Sequence, residues 1–169
     1  MKKIWIATIL LIQSLYIQAQ HSPFFVDSIQ QKKWVDDKYN TLTLEEKVGQ
    51  LFIVAAYSNR DAAHEAEIEN LVKTEAIGGL IFMQDLAVKQ AELTNRYNKV
   101  SKIPLFIGMD AEWGLAMRLK EVNRFPWAMA VGAVEDNQLV KQMGNNIGEQ
   151  AARMGVHFNF APTVDVNTN

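Results

Sequence analysis

The chain runs to 169 residues, 49% hydrophobic and 21% charged, which supplies the core of one ordinary domain and is too apolar for a disordered chain. A formal net charge of -2, with lysines and arginines scattered, gives no basic field for gripping phosphates, so no nucleic-acid partner is expected. The absence of cysteine excludes disulfides and thiolate metal sites.

Lys2 and Lys3 precede an apolar segment from Ile4 to about Tyr16, and Ile17-Gln18-Ala19-Gln20 follows as a cleavage zone. This is the pattern of an export signal over residues 1–20. Gln13 and Ser14 interrupt the run, which is shorter than the ~20 apolar residues a spanning helix needs, so no stable membrane anchor is expected. A periplasmic or secreted protein is the expectation. Residues 21–40, with Trp34 and Tyr39, read as a lead-in helix lying against the body of the domain, and the domain proper occupies residues 41–169.

Thr43 and Glu46 have capping-box spacing, with Val48 and Leu51 following on one helical face, so a short helix is expected to enter a first strand at Phe52–Ala56. Ile68, Leu71 and Val72 recur at helical spacing within 61–76, and Gly78-Gly79 reads as the stop. His64 falls on the charged, solvated side of that helix. Leu80–Met83 is the second strand. A helix over about 86–100 places Leu93, Tyr97 and Val100 on one face and Glu92 with Arg96 as an i,i+4 pair on another. Leu105–Met109 is the third strand. The following segment, 113–134, has no clear period and reads as a long loop with a small hairpin around Met129–Val131. Leu139, Val140, Met143, Ile147, Ala151 and Met154 then mark a helix, and Val156–Phe160 the fourth strand. This alternation predicts a parallel α/β sheet. With four strands and three full intervening helices, it predicts about the first four strands of a (β/α)8 barrel.

The third strand carries the main functional signal. Pro104 stops the preceding helix, Leu105-Phe106-Ile107 is apolar throughout, and the run ends in Gly108, Met109 and two carboxylates, Asp110 and Glu112. A strand polar on neither face is covered on both sides, and ligands in such folds sit beyond the carboxyl ends of the strands. Asp110 is therefore the first candidate for touching substrate; the alternative is a structural pair with Arg118. Trp113 either stacks on the apolar face of a sugar or packs. Glu112 orients the loop or Arg118, and Asp165 reads as a turn residue. His21, His64 and His157 are too sparse for a metal site, and no phosphate-binding glycine loop is present.

Four ordered stretches, LTLEEKVGQLF (42–52), GGLIFM (78–83), PLFIGMDAEWGLAMRL (104–119) and NFAPTVDVNTN (159–169), resemble the N-terminal barrel domain of glycoside hydrolase family 3, in its bacterial β-N-acetylglucosaminidase branch. The resemblance implies that Asp110 binds sugar hydroxyls in the −1 subsite and that Arg118, eight residues on, also contacts substrate. Where that branch carries two glycines and an arginine after the glutamate, this chain reads Trp113-Gly114-Leu115, which leaves β-glucosidase activity open. The resemblance implies a retaining hydrolase of terminal β-linked N-acetylglucosamine without metal or organic cofactor and without an obligate protein partner. The family's nucleophile, its acid/base, an arginine and a Lys-His pair have no counterpart up to Asn169, so no residue here is assigned a catalytic role and this chain alone is expected to be inactive. A non-catalytic carbohydrate-binding or scaffold protein is the other class. Expressed alone, it is expected to aggregate or stay molten.

Overall fold

The computed structural model describes residues 28–164, so residues 1–20, where an export signal is expected, and Asp165 lie outside the described residues. The chain divides between Thr41 and Leu42 into two compact units. In the first, helix α1 (Ser28–Tyr39) carries i,i+4 ion pairs, Lys32–Asp36 at 2.5 Å and Lys33–Asp37 at 2.8 Å, and contains no buried residue.

The second unit opens with α2 (Leu44–Gly49), started by the predicted capping box. The Glu46 backbone N–H donates to Thr43 Oγ1 at 3.2 Å and the Thr43 N–H donates back to Glu46 Oε2 at 2.8 Å. Then follow β1 (Ile53–Ala56), α3 (Ala62–Thr74), β2 (Gly79–Phe82), β3 (Asp85–Leu86), α4 (Ala87–Val100), β4 (Phe106–Met109), β5 (Leu119–Lys120), α5 (Ala128–Gly132), α6 (Asn137–Arg153) and β6 (Phe158–Asn159). Strands β1, β2, β4 and β6 pair in that order, all parallel, with Ala56 opposite Phe82, Ile81 opposite Gly108 and Met109 opposite Asn159. This is the α/β architecture of a barrel's first four strands.

The side-chain period of two sends alternate residues to opposite faces. Leu80, Phe82, Ile107 and Met109 are wholly buried beneath Ile68 and Val72 of α3 and Leu93 and Tyr97 of α4. The other face carries Ile53, Phe106 and Phe158, each close to half exposed. Helices α3 and α4 are joined by charge: Glu65 meets Lys89 at 2.7 Å and Arg96 at 2.8 Å, and Arg96 also meets Glu69 at 2.5 Å. The Lys89 ammonium, then the Arg96 guanidinium, hold the Glu65 carboxyl below its ordinary pKa, while burial pushes the Tyr97 phenol up to about 12.

Several expectations are corrected here. Arg96 reaches across to α3 rather than pairing with Glu92 on its own helix. His64 is buried, because positions 64, 68 and 72 form one stripe whose other members are Ile68 and Val72. The predicted hairpin near Met129–Val131 is helix α5. The stop after α3 is Ala76, at φ 49°, not the glycines. Gly78 serves close approach instead: a Cβ there would lie 2.0 Å from the Gln50 carbonyl oxygen. The ribbon of β3 with β5 has no counterpart in the sequence reading.

Candidate functional site

Asp110 is the first residue past β4, on the carboxyl-end rim of the sheet. Its Oδ2 accepts a hydrogen bond from Arg118 Nη2 at 2.5 Å, and both side chains are about one-fifth to one-quarter exposed (28% for Asp110, 19% for Arg118). The pair is therefore neither fully solvated nor sealed.

Local folding fixes Arg118. Gly114, at φ 86°, lets the chain turn where a Cβ would meet the Phe125 ring at 2.7 Å, and a 3-10 turn over Leu115–Met117 follows. Leu115 anchors that turn in the core, and the Arg118 N–H donates to the Leu115 carbonyl at 2.9 Å. Immediately afterwards Leu119–Lys120 pairs with Asp85–Leu86. One Arg118 donor goes to Asp110; its Nε is buried with no hydrogen-bond partner among the described residues. A buried donor left unpaired costs about 1–3 kcal/mol.

The Asp110 backbone is held from the other side. Asn159, at the end of β6, accepts from the Ala111 N–H through Oδ1 at 3.0 Å and donates through Nδ2 to the Ala111 carbonyl at 3.2 Å. This two-point amide clamp fixes the residue after Asp110. The sequence reading gave Asn159 no role; the signal was an amide among the apolar residues of the fourth strand. Trp113, half-buried, lies beside Trp127, with ring centroids 5.8 Å apart and planes tilted by 47°. Trp127 is 64% exposed, so Trp113 packs on one side and the pair keeps an open aromatic surface on the other. Glu112 is half-buried and bridges to Gly114, shaping the loop; no hydrogen bond or ion pair joins it to Arg118.

The structure thus brings Asp110 and Arg118 into contact and places Trp113 on the loop between them. Among the described residues no group of three histidines or carboxylates is arranged to hold a metal ion, and no helix is long and apolar enough to cross a membrane. A groove of about 510 Å³ lined by Leu44, Val48, Phe52, Val54, Leu71 and Ile77 shares no residue with this cluster.

Residues 43–169 match the family described as "Glycosyl hydrolase family 3 N terminal domain". The chain belongs to glycosyl hydrolase family 3. This family 3 chain is 30% identical over 116 residues to "Beta-hexosaminidase A" of Pseudoalteromonas piscicida, covering 61% of the chain and 19% of that protein. It is 25% identical over 136 residues to "Beta-N-acetylglucosaminidase/beta-glucosidase" of Cellulomonas fimi, covering 80% and 23%. Against "Beta-hexosaminidase LpqI" of Mycobacterium tuberculosis (strain ATCC 25618 / H37Rv) it is 27% identical over 129 residues, covering 74% and 32%. The chain thus spans between a fifth and a third of the length of these curated relatives. Among solved structures, "Beta-glucoside phosphorylase BglX bound to 2FGlc" superposes with a TM-score of 0.75 at 24% identity, over 85% of this chain and 25% of that one, which establishes the fold.

Proposed function

We propose that this chain provides the sugar-gripping part of an exported, retaining β-N-acetylhexosaminidase that removes terminal β-linked N-acetylglucosamine. The observation that carries the reading is the Asp110–Arg118 pair at the carboxyl end of β4. An ionised carboxylate accepts from two neighbouring sugar hydroxyls at once, and Arg118 retains donors, its buried Nε among them, for a carbonyl or hydroxyl oxygen. Trp113 and Trp127 offer an apolar surface suited to the CH face of a pyranose. A retaining reaction needs two further carboxyl groups roughly 5 to 5.5 Å apart, a nucleophile and an acid/base. None is assigned within residues 1–169, so this chain by itself is expected not to turn over substrate.

Action on β-glucosides is the second reading, favoured by the Cellulomonas fimi relative whose name includes both activities and by Leu115, which stands where the N-acetylglucosaminidase branch carries an arginine. The test is hydrolysis of 4-nitrophenyl β-N-acetylglucosaminide and β-glucoside by this chain and by a polypeptide of the relatives' full length that begins with it. The long chain is expected to prefer the N-acetylglucosaminide, and Asp110→Ala in it to lower kcat/KM by about 100-fold or more. Turnover by the 169-residue chain, or an Asp110→Ala variant of undiminished activity, would sink the proposal. Export is checked by finding the protein outside the cytoplasm with residues 1–20 removed.

A further inference from the structure

The ion pair with Arg118 holds the tip of the Asp110 side chain. The direction in which that side chain leaves the backbone is set by the peptide planes on either side of it, because φ and ψ are the only soft backbone dihedrals of a residue. Strand β6 holds both planes. The plane before Asp110 is pinned where the Phe160 N–H donates to the Met109 carbonyl at 2.9 Å. The plane after it is pinned where the Ala111 N–H donates to Asn159 Oδ1 at 3.0 Å, and the next one where Asn159 Nδ2 donates to the Ala111 carbonyl at 3.2 Å.

Strand pairing alone does not reach this far. β4 and β6 last pair at Met109 and Asn159, one residue short of Asp110. The His157 N–H donates to the Ile107 carbonyl at 2.8 Å and the Phe160 N–H to that of Met109, so three steps along β6 match two along β4, the count of a β-bulge. Past the bulge the Asn159 amide, which offers a carbonyl and an N–H as a peptide does, carries the ladder on to Ala111. Ala111 is 2% exposed, so its backbone groups have little access to water in place of this partner. Both ends of the amide are engaged with that one residue, and the route from Asn159 to a bound sugar runs through the Asp110 backbone.

We propose that Asn159 is a positioning residue for sugar recognition: by holding the peptide after Asp110 it aims the Asp110 carboxylate at the sugar hydroxyls. This rests on the glycosidase reading of the rim. Asn159→Asp isolates the effect. It keeps an acceptor for the Ala111 N–H, but when ionised it sets a negative oxygen against the Ala111 carbonyl where a donor belongs. Protonation restores an O–H donor there, so the aim of Asp110 returns as pH falls.

The experiment uses a polypeptide of the relatives' full length. Affinity for the sulfur-linked, non-hydrolysable 4-nitrophenyl β-N-acetylglucosaminide is measured by calorimetry across pH, and kcat/KM is measured on the oxygen-linked glycoside. Asn159→Ala is expected to weaken binding and lower kcat/KM roughly tenfold or more. Added to Asp110→Ala, it is expected to lower kcat/KM by less than about twofold further, since the group it aims is already gone. Asn159→Asp is expected to match Asn159→Ala at neutral pH and to approach the unaltered protein as pH is lowered. Losses that multiply in the double variant, or an Asn159→Asp affinity that keeps one ratio to the unaltered protein at every pH, overturn the inference. Should Asn159→Ala fail to fold, the pH course of Asn159→Asp decides alone. Binding that depends on Asn159 in this way without hydrolysis would keep the inference and sink the hydrolase; hydrolysis that survives Asn159→Ala undiminished would do the reverse.

Discussion

The two faces of the four-stranded sheet carry similar residues in different surroundings. Leu80, Phe82, Ile107 and Met109 lie under α3 and α4 with no exposed surface, whereas on the opposite face Ile53 is 44%, Phe158 46% and Phe106 53% exposed. Phe106 and Phe158 lean on each other at 5.1 Å, and the Phe160 ring lies over Gly108, closer than any Cβ could allow. These aromatic contacts stay open to water. The covered face explains why the unit holds together; the open one is the inner wall of a barrel, which further strands line in complete barrels. The rim that carries Asp110 and Arg118 stands at the carboxyl ends of the strands.

The contrast breaks most sharply at Phe82. Phe82→Ala, in a chain of the relatives' length, is expected to cost about 3–5 kcal/mol in denaturant unfolding, because the ring is deleted from a site with no exposed surface. A loss below about 1 kcal/mol would mean that the covered face does not carry the stability. Next comes Gly78→Ala: a Cβ 2.0 Å from the Gln50 backbone oxygen must push the β1 entrance apart, at an expected cost of about 1–3 kcal/mol. The same substitution at Gly144, where a Cβ meets nothing within 4 Å and the backbone is helical, is expected to be neutral or slightly stabilising.

A smaller effect tests the helix layer above the covered face. The folded pKa of Glu65 lies below its ordinary value of 4.5, so the stability it contributes is present above pH 4.5 and is lost as pH falls through the lower folded value. Glu65→Gln is expected to cost about 1 kcal/mol at pH 7, discounted for the exposure of Lys89 and Arg96, and to flatten the dependence of stability on pH below 4.5. An unaltered acid limb would show that the Lys89–Glu65–Arg96 contacts are ornamental.

How much of this was legible in the sequence follows from the same contrast. The covered face was readable because burial on one side of a strand and one stripe of a helix produces a period; the four strands, the capping box and the amphipathic helices came from it. What escaped the period was polar or short. His64, Gln90 and Thr94 continue buried helical stripes with polar atoms, so a search for apolar spacing passes over them. The β3–β5 ribbon has two residues a side, too few for any alternation to be seen. Arg96 chose partners on another helix because α3 and α4 pack side by side, which local spacing cannot register. At the rim, Asp110 and Arg118 were legible from an apolar run ending in charge and from family resemblance. The Asn159 clamp depends on which strand ends are neighbours, and that is a property of the sheet order.

The smallest expected effect is the most discriminating, because its size depends on how much chain is present. Phe158→Ser on the open face removes a ring that is already 46% exposed and leans on the Phe106 and Phe160 rings. In the 169-residue chain it is expected to reduce aggregation by shrinking an exposed apolar patch, and to shift any unfolding transition that the soluble fraction shows by no more than about 0.5 kcal/mol, as for a surface position. In a polypeptide of the relatives' length the same ring is closed in by the far side of the barrel, and the cost is expected to rise to about 3 kcal/mol or more, the penalty of a buried aromatic. Unfolding curves of both lengths, with and without the substitution, measure the difference directly. An equal and large cost in the two would show that the short chain already covers this face, by pairing with a second copy of itself, and a sedimentation measurement would then find a dimer that Phe158→Ser dissociates.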